Sequence, residues 1–65
     1  SFSVLHNCEI CEGSVVAAGT VIRSRNVPPF TIVEGNPVRI IAEKINDKWE
    51  YFDIPKEIKI KCGTL

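Results

Sequence analysis

The chain has no Met, one His, one Trp and one Tyr among its 65 residues. It also lacks an excess of charge, with eight Lys and Arg against eight Asp and Glu. Binding nucleic acid or a membrane surface calls for a basic excess, so the neutral balance speaks against both partners. No apolar run approaches the ~20 residues of a membrane-spanning helix, and the first residues carry no secretory pattern. Three cysteines are too few, and odd in number, for a disulfide framework. Reduced thiols in the cytoplasm are therefore the expectation. With no initiator Met, Ser1 is expected to lie inside a longer polypeptide. What is there is an ordinary globular mixture, 45% hydrophobic and 25% charged, which argues against disorder. At this length a single core is marginal without a disulfide, a metal or a partner chain. Two domains, or a complete enzyme with its own buried pocket, are excluded on the same ground.

The charges are unevenly placed. Residues 1–22 hold only Glu9 and Glu12, whereas residues 23–39 hold Arg23, Arg25 and Arg39 against Glu34. The middle of a neutral chain is thus locally basic. Three Arg read either as a solvated face or as an anion site, because guanidinium pairs with phosphate in fork geometry.

The strongest pattern is a period of six. Val4, Ile10, Val16 and Ile22 share one phase, and the small residues Cys8, Ser14 and Thr20 share another. Asn7, Gly13 and Gly19 share a third, all of them turn residues. Six fits neither a helix nor a simple hairpin, but it fits short strands separated by tight corners. Residues two apart point to the same face of a strand, so each strand would turn one small and one aliphatic residue inward. Glu9, Val15 and Val21 would face outward. Hexapeptide repetition marks parallel β-helices. Three hexads make one coil, so residues 4–21 are expected to form one and Ile22 to begin another. A single coil cannot bury its own faces and needs a neighbour.

After the repeat, Pro28-Pro29 fixes the backbone and removes two donors. Thr31 to Val33 reads as a strand, Glu34 to Pro37 as a turn, and Val38 to Ile41 as a further strand. The run Gly13-Ser14-Val15-Val16-Ala17-Ala18-Gly19-Thr20-Val21-Ile22, with Val27-Pro28-Pro29-Phe30 and Gly35-Asn36-Pro37, resembles the C-terminal end of hexapeptide-repeat acyltransferases. The resemblance covers residues 4–45, and the tail Glu43 to Asp47 with Tyr51-Phe52 looks most like the galactoside and maltose O-acetyltransferase branch. The chain departs from the family's Gly at Cys11 and Ala17, and carries one extra residue, placed at Arg23.

The resemblance implies an all-β, left-handed parallel β-helix of about one coil with a C-terminal extension, the hand coming from the family alone. Residues 1–45 would be the β-helix end with an acyl-CoA-binding loop, and residues 46–65 the extension. It implies transfer of an acetyl group from acetyl-CoA to a hydroxyl acceptor, often a sugar, in a homotrimer whose sites lie between subunits. Ala18 matches a position whose backbone meets the pantetheine arm. Ser24 and Arg25 match a hydroxyl–cation pair near the adenosine end, and Arg39 a basic residue after Asn-Pro. A second basic position of the family is Ala42 here. The family's catalytic His lies upstream of these residues, so no catalytic residue is assigned. His6 does not match it and reads as a surface or turn residue.

Other readings stay open. The segment could be a non-catalytic cap or oligomerisation element, or belong to another hexapeptide-family enzyme, such as a serine acetyltransferase. A metal-dependent carbonic anhydrase needs several His ligands. Cys8 and Cys11 with Cys62 and His6 could make a Cys₃His zinc set, but the hexad phases turn Cys8 inward and Cys11 to a corner, so no metal site is assigned. Trp49, Tyr51 and Phe52 are expected to pack on the flank of a coil or on a neighbouring subunit. Pro55 is expected to separate them from an alternating strand over Glu57 to Lys61, and Cys62 to Leu65 reads as a frayed end.

Overall fold

A computed structural model describes residues 3–58. The expected strand over Glu57 to Lys61 and the end at Cys62 to Leu65 therefore lie largely outside the described residues. The described residues are all β and contain no helix. In chain order the strands are β1 (Val4–His6), β2 (Glu9–Ile10), β3 (Val15–Val16), β4 (Val21–Arg23), β5 (Asn26–Val27), β6 (Thr31–Glu34), β7 (Arg39–Ile45) and β8 (Lys48–Glu57).

The first six strands pair in parallel, β1 with β4, β2 with β5 and β3 with β6. Val4 lies opposite Val21, Glu9 opposite Asn26 and Val15 opposite Ile32, each partner being 17 residues further along (21 less 4, 26 less 9, 32 less 15). Two successive stretches of chain thus lie one on the other, a first layer (β1 to β3) and a second (β4 to β6).

This register corrects the expected phase. An 18-residue coil would set Val4 against Ile22, but Ile22 lies opposite Leu5. The inward aliphatic stack is Leu5 on Ile22, Ile10 on Val27 and Val16 on Val33. Two steps in it, Leu5 to Ile10 and Ile22 to Val27, are therefore one residue shorter than the hexad. Because Val4 and Leu5 are both aliphatic, periodicity alone does not separate them.

The corners follow from local chemistry. Asn7, Gly13, Gly19, Ser24 and Phe30 all have left-handed φ, from 53° at Asn7 to 81° at Gly19. At Gly13 the need is twofold, since a Cβ there would also collide with the Phe30 ring one layer below. The hydroxyls of Ser14, Thr20 and Thr31 each donate to the carbonyl three residues back, at Cys11 (2.7 Å), Ala17 (2.6 Å) and Pro28 (2.8 Å). A small hydroxyl residue at this phase fits inward and also closes its own corner. Cys8 and Arg25 hold the same phase at the two short steps, where the hydroxyl bond is absent.

The chain then turns antiparallel. Residues 35–38 form a turn with a cis Asn36–Pro37 bond, and β7 returns along β6. Asn46 and Asp47, at φ 52° and 64°, make the two-residue hairpin that sends β8 back along β7, with Ile45 opposite Lys48. Positive φ at both central residues is what such a tight hairpin requires. The β7–β8 register jumps from Ile40 opposite Lys56 to Ala42 opposite Tyr51, which leaves Phe52 to Pro55 bulged out of the ladder. Pro55 therefore does not end the strand as expected: it sits where no ladder donor is needed. The aromatic residues do not form one cluster. Trp49 lies under the Lys44 ammonium, Phe52 lies under that of Lys56, and Tyr51 is exposed.

The core is Ile22, Val27, Val33, Val38 and Ile58, with Cys8, Val16 and Ile40 packed against it. It thus draws on the second layer, the 35–38 turn and the residue just past β8.

Candidate functional site

A cavity of 530 Å³ opens at the end of the second layer, on the side away from the first. Three elements meet there. β4 and the corner after it bring Arg23 and Arg25, the 35–38 turn and the start of β7 bring Pro37 and Arg39, and the end of β8 brings Glu57. The turn is tied to the second layer by the Val21 amide, which donates to the Gly35 carbonyl at 3.1 Å. Buried Val38 and Ile58 line the cavity and belong to the core, so its floor is continuous with the packing that holds the 35–38 turn and the end of β8, together the cap of the second layer, in place.

Arg25 owes its position to the short step in the stack. It occupies the phase that elsewhere carries Ser14, Thr20 and Thr31, in line with Cys8 of the first layer. No third parallel layer covers it among the described residues, so a long side chain is accommodated and lines the cavity. Three guanidiniums face one carboxylate, an excess of two positive charges in a concave site. Arg presents donors in a rigid fork and stays charged at any physiological pH, which suits planar recognition of phosphate or carboxylate oxygens.

Of the four residues expected to meet a cofactor, Arg25 and Arg39 come together at this cavity. Ser24 does not line it. It is half-buried at the left-handed corner beside Arg25, with its amide donating to the His6 carbonyl at 3.0 Å. Ala18 is exposed at the corner between β3 and β4, and is also not part of the cavity wall. Two further charged residues line the cavity, Arg23 and Glu57, to which the family resemblance does not point. Arg23 carried a signal in the basic middle segment. Glu57 carried none, because it reaches the cavity only through the hairpin and the bulge of β8.

His6 is exposed on β1, directly opposite Arg23. Among the described residues no three His, Cys, Asp or Glu side chains converge on a metal position. Cys8 is half-buried and Cys11 exposed, and Cys62 of the weighed zinc set lies outside the described residues. No helix of the described residues is long and apolar enough to cross a membrane.

Comparison with known proteins gives a partial match. Over 45 residues, 69% of this chain, it is 38% identical to proteins of Staphylococcus aureus strains COL, MSSA476 and Mu50 that are provisionally named as acetyltransferases. The match spans 22% of the length of those relatives. No family model matches the chain, and no solved structure matches it.

Proposed function

We propose that this chain is the cofactor-holding end of a left-handed parallel β-helix acetyltransferase of the galactoside and maltose O-acetyltransferase type. The observation that carries the reading is the meeting of Arg23, Arg25 and Arg39 in one cavity. The similarity to acetyltransferase-named relatives supports it, as does the constant parallel offset of the two layers, which suits stacked coils. In this reading residues 1–45 are the coil end with its acyl-CoA-binding loop, and residues 46–65 are a C-terminal extension.

In this reading the three Arg hold the phosphates of acetyl-CoA. Ala18 and Ser24 serve by backbone and hydroxyl contact along the pantetheine arm and near the adenosine end. The acceptor is a hydroxyl, by preference that of a sugar. Its oxygen attacks the thioester carbonyl, a C–O bond forms, the C–S bond breaks, and the thiol of CoA leaves. The step needs a base for the hydroxyl proton and donors for the developing oxyanion. None of the described residues is assigned to either task, and both belong to the rest of a cytoplasmic homotrimer, with a His as the base. A second reading, a non-catalytic cap that completes another chain, is favoured by the exposure of Leu5 and Ile10 on the first layer.

The test is acetyl transfer by the intact protein with acetyl-CoA and a panel of sugars and serine, followed as release of free CoA thiol. Acceptor-dependent release that falls about tenfold in Arg25→Ala, the size expected from losing one charge-assisted contact of ~1.4 kcal/mol, supports the proposal. No release above hydrolysis with any acceptor contradicts it and leaves the cap reading. A response to serine alone moves the activity to the serine acetyltransferase class.

A further inference from the structure

The arginine cavity has one acidic wall, and it comes from the tail. Glu57 ends β8, lies directly opposite Arg39 of β7, and lines the same cavity as Arg23 and Arg25. Side chains directly opposite on neighbouring antiparallel strands share a face, so Glu57 and Arg39 present their charges to the same space. Ile58, the next residue, is buried in the core and fixes this end of the tail. An anion site gains nothing for tight binding from a carboxylate, since that carboxylate repels any anion that enters. What it changes is the response to ligand charge: attraction by the three Arg and repulsion by Glu57 both scale with the charge of the ligand, so the carboxylate takes most from the most highly charged ligand.

We infer that Glu57 is a specificity-determining residue that limits the cavity's preference for more highly charged polyphosphates over a phosphate dianion. The inference rests on the proposed phosphate-holding role of the cavity and extends it to the tail. With Glu57 the excess is two positive charges, equal and opposite to those of a phosphate monoester near neutral pH. Without it the excess is three, and each further negative charge on a ligand is better received. Free tripolyphosphate is the competitor whose advantage over a phosphate monoester such a wall reduces.

The experiment compares wild type, Glu57→Gln and Glu50→Gln in the intact protein. Glu50 lies on the same strand but away from the cavity, so its variant makes the same change in net charge without touching the site. Orthophosphate, tripolyphosphate and CoA are titrated calorimetrically at low ionic strength. Glu57→Gln is expected to tighten tripolyphosphate about tenfold and orthophosphate about threefold or less. Glu50→Gln should change either by less than twofold. The gain should shrink in about 0.5 M salt, where screening is effective within a few ångströms. Equal gains for the two phosphates, or equal effects of the two substitutions, overturn the inference. Failure of wild type to bind CoA contradicts the acetyl-CoA reading instead, while the phosphate comparison still decides the role of Glu57.

Discussion

The two parallel layers carry nearly the same pattern and meet different fates. Ile22 and Val27 of the second layer are fully buried, whereas their partners Leu5 and Ile10 of the first are 50% and 41% exposed. Both layers alternate a small or polar inward residue with an aliphatic one. The difference lies in what covers them. The second layer has the first on one side and the 35–38 turn, Val38 and Ile58 on the other. Among the described residues, the first has only the second. A repeat unit therefore specifies which residues face inward, and neighbouring chain decides whether facing inward means being buried. The cap that buries the second layer also builds the cavity, so packing and site have a common origin in the residues after 34.

Truncating the two partners separately should break the symmetry of sequence most visibly. Ile22→Ala leaves a hole in a closed core and is expected to cost about 2–5 kcal/mol. Leu5→Ala removes a half-exposed side chain and is expected to cost about 1 kcal/mol or less. Denaturant unfolding of the intact protein measures both. A Leu5→Ala loss as large as that of Ile22→Ala would show that a further layer covers the first, and would put the two layers on an equal footing.

The corners sharpen the comparison at a smaller scale. Gly13 and Gly19 share left-handed φ, but a Cβ at Gly13 meets the Phe30 ring below it, whereas one at Gly19 meets nothing. Gly19→Ala should cost about 1–2 kcal/mol from backbone strain alone. Gly13→Ala should cost that amount and the displacement of Phe30, which thermal unfolding would resolve as a larger drop in midpoint. Equal losses would mean that the Phe30 ring turns aside freely. A smaller effect than at either glycine is expected at Thr20, which is fully buried and donates to Ala17. Thr20→Val keeps the shape and loses the bond, at a cost of about 1 kcal/mol. The Ala17 carbonyl still accepts from the Thr20 amide and from the Ser3 hydroxyl, so no acceptor is orphaned.

Much of this architecture is legible in the residues. Asn7, Gly13 and Gly19 announce corners because few residues tolerate left-handed φ, and Ser14 and Thr20 announce the inward small phase. The strand at Thr31 and the turn at Gly35 follow from composition. The one-residue slip does not. Val4 and Leu5 are equally good aliphatics, and only pairing with β4 chooses between them. Ser24 and Phe30 take left-handed corners without the residue types that advertise them, because the layer above imposes the path. The hairpin does carry a local sign, Asn46-Asp47, but it lies beyond the hexads and outside their period. In the site, Arg25 and Arg39 are legible from a locally basic segment and a family resemblance. Glu57 is not, since a bulge of four residues around Pro55 separates its position from any regular count along β8.

The most direct test is a calorimetric titration of CoA into the intact protein and into an Arg25→Ala/Arg39→Ala double variant, with Lys48→Ala as a control for net charge at the far end of the hairpin. If the cap of the second layer makes a phosphate-holding cavity, the double variant should bind CoA about 100-fold more weakly, two contacts of ~1.4 kcal/mol each. Lys48→Ala should stay within about twofold. Unchanged CoA affinity in the double variant would contradict the role assigned to the cavity and leave the arginines as solvated charges on a structural cap.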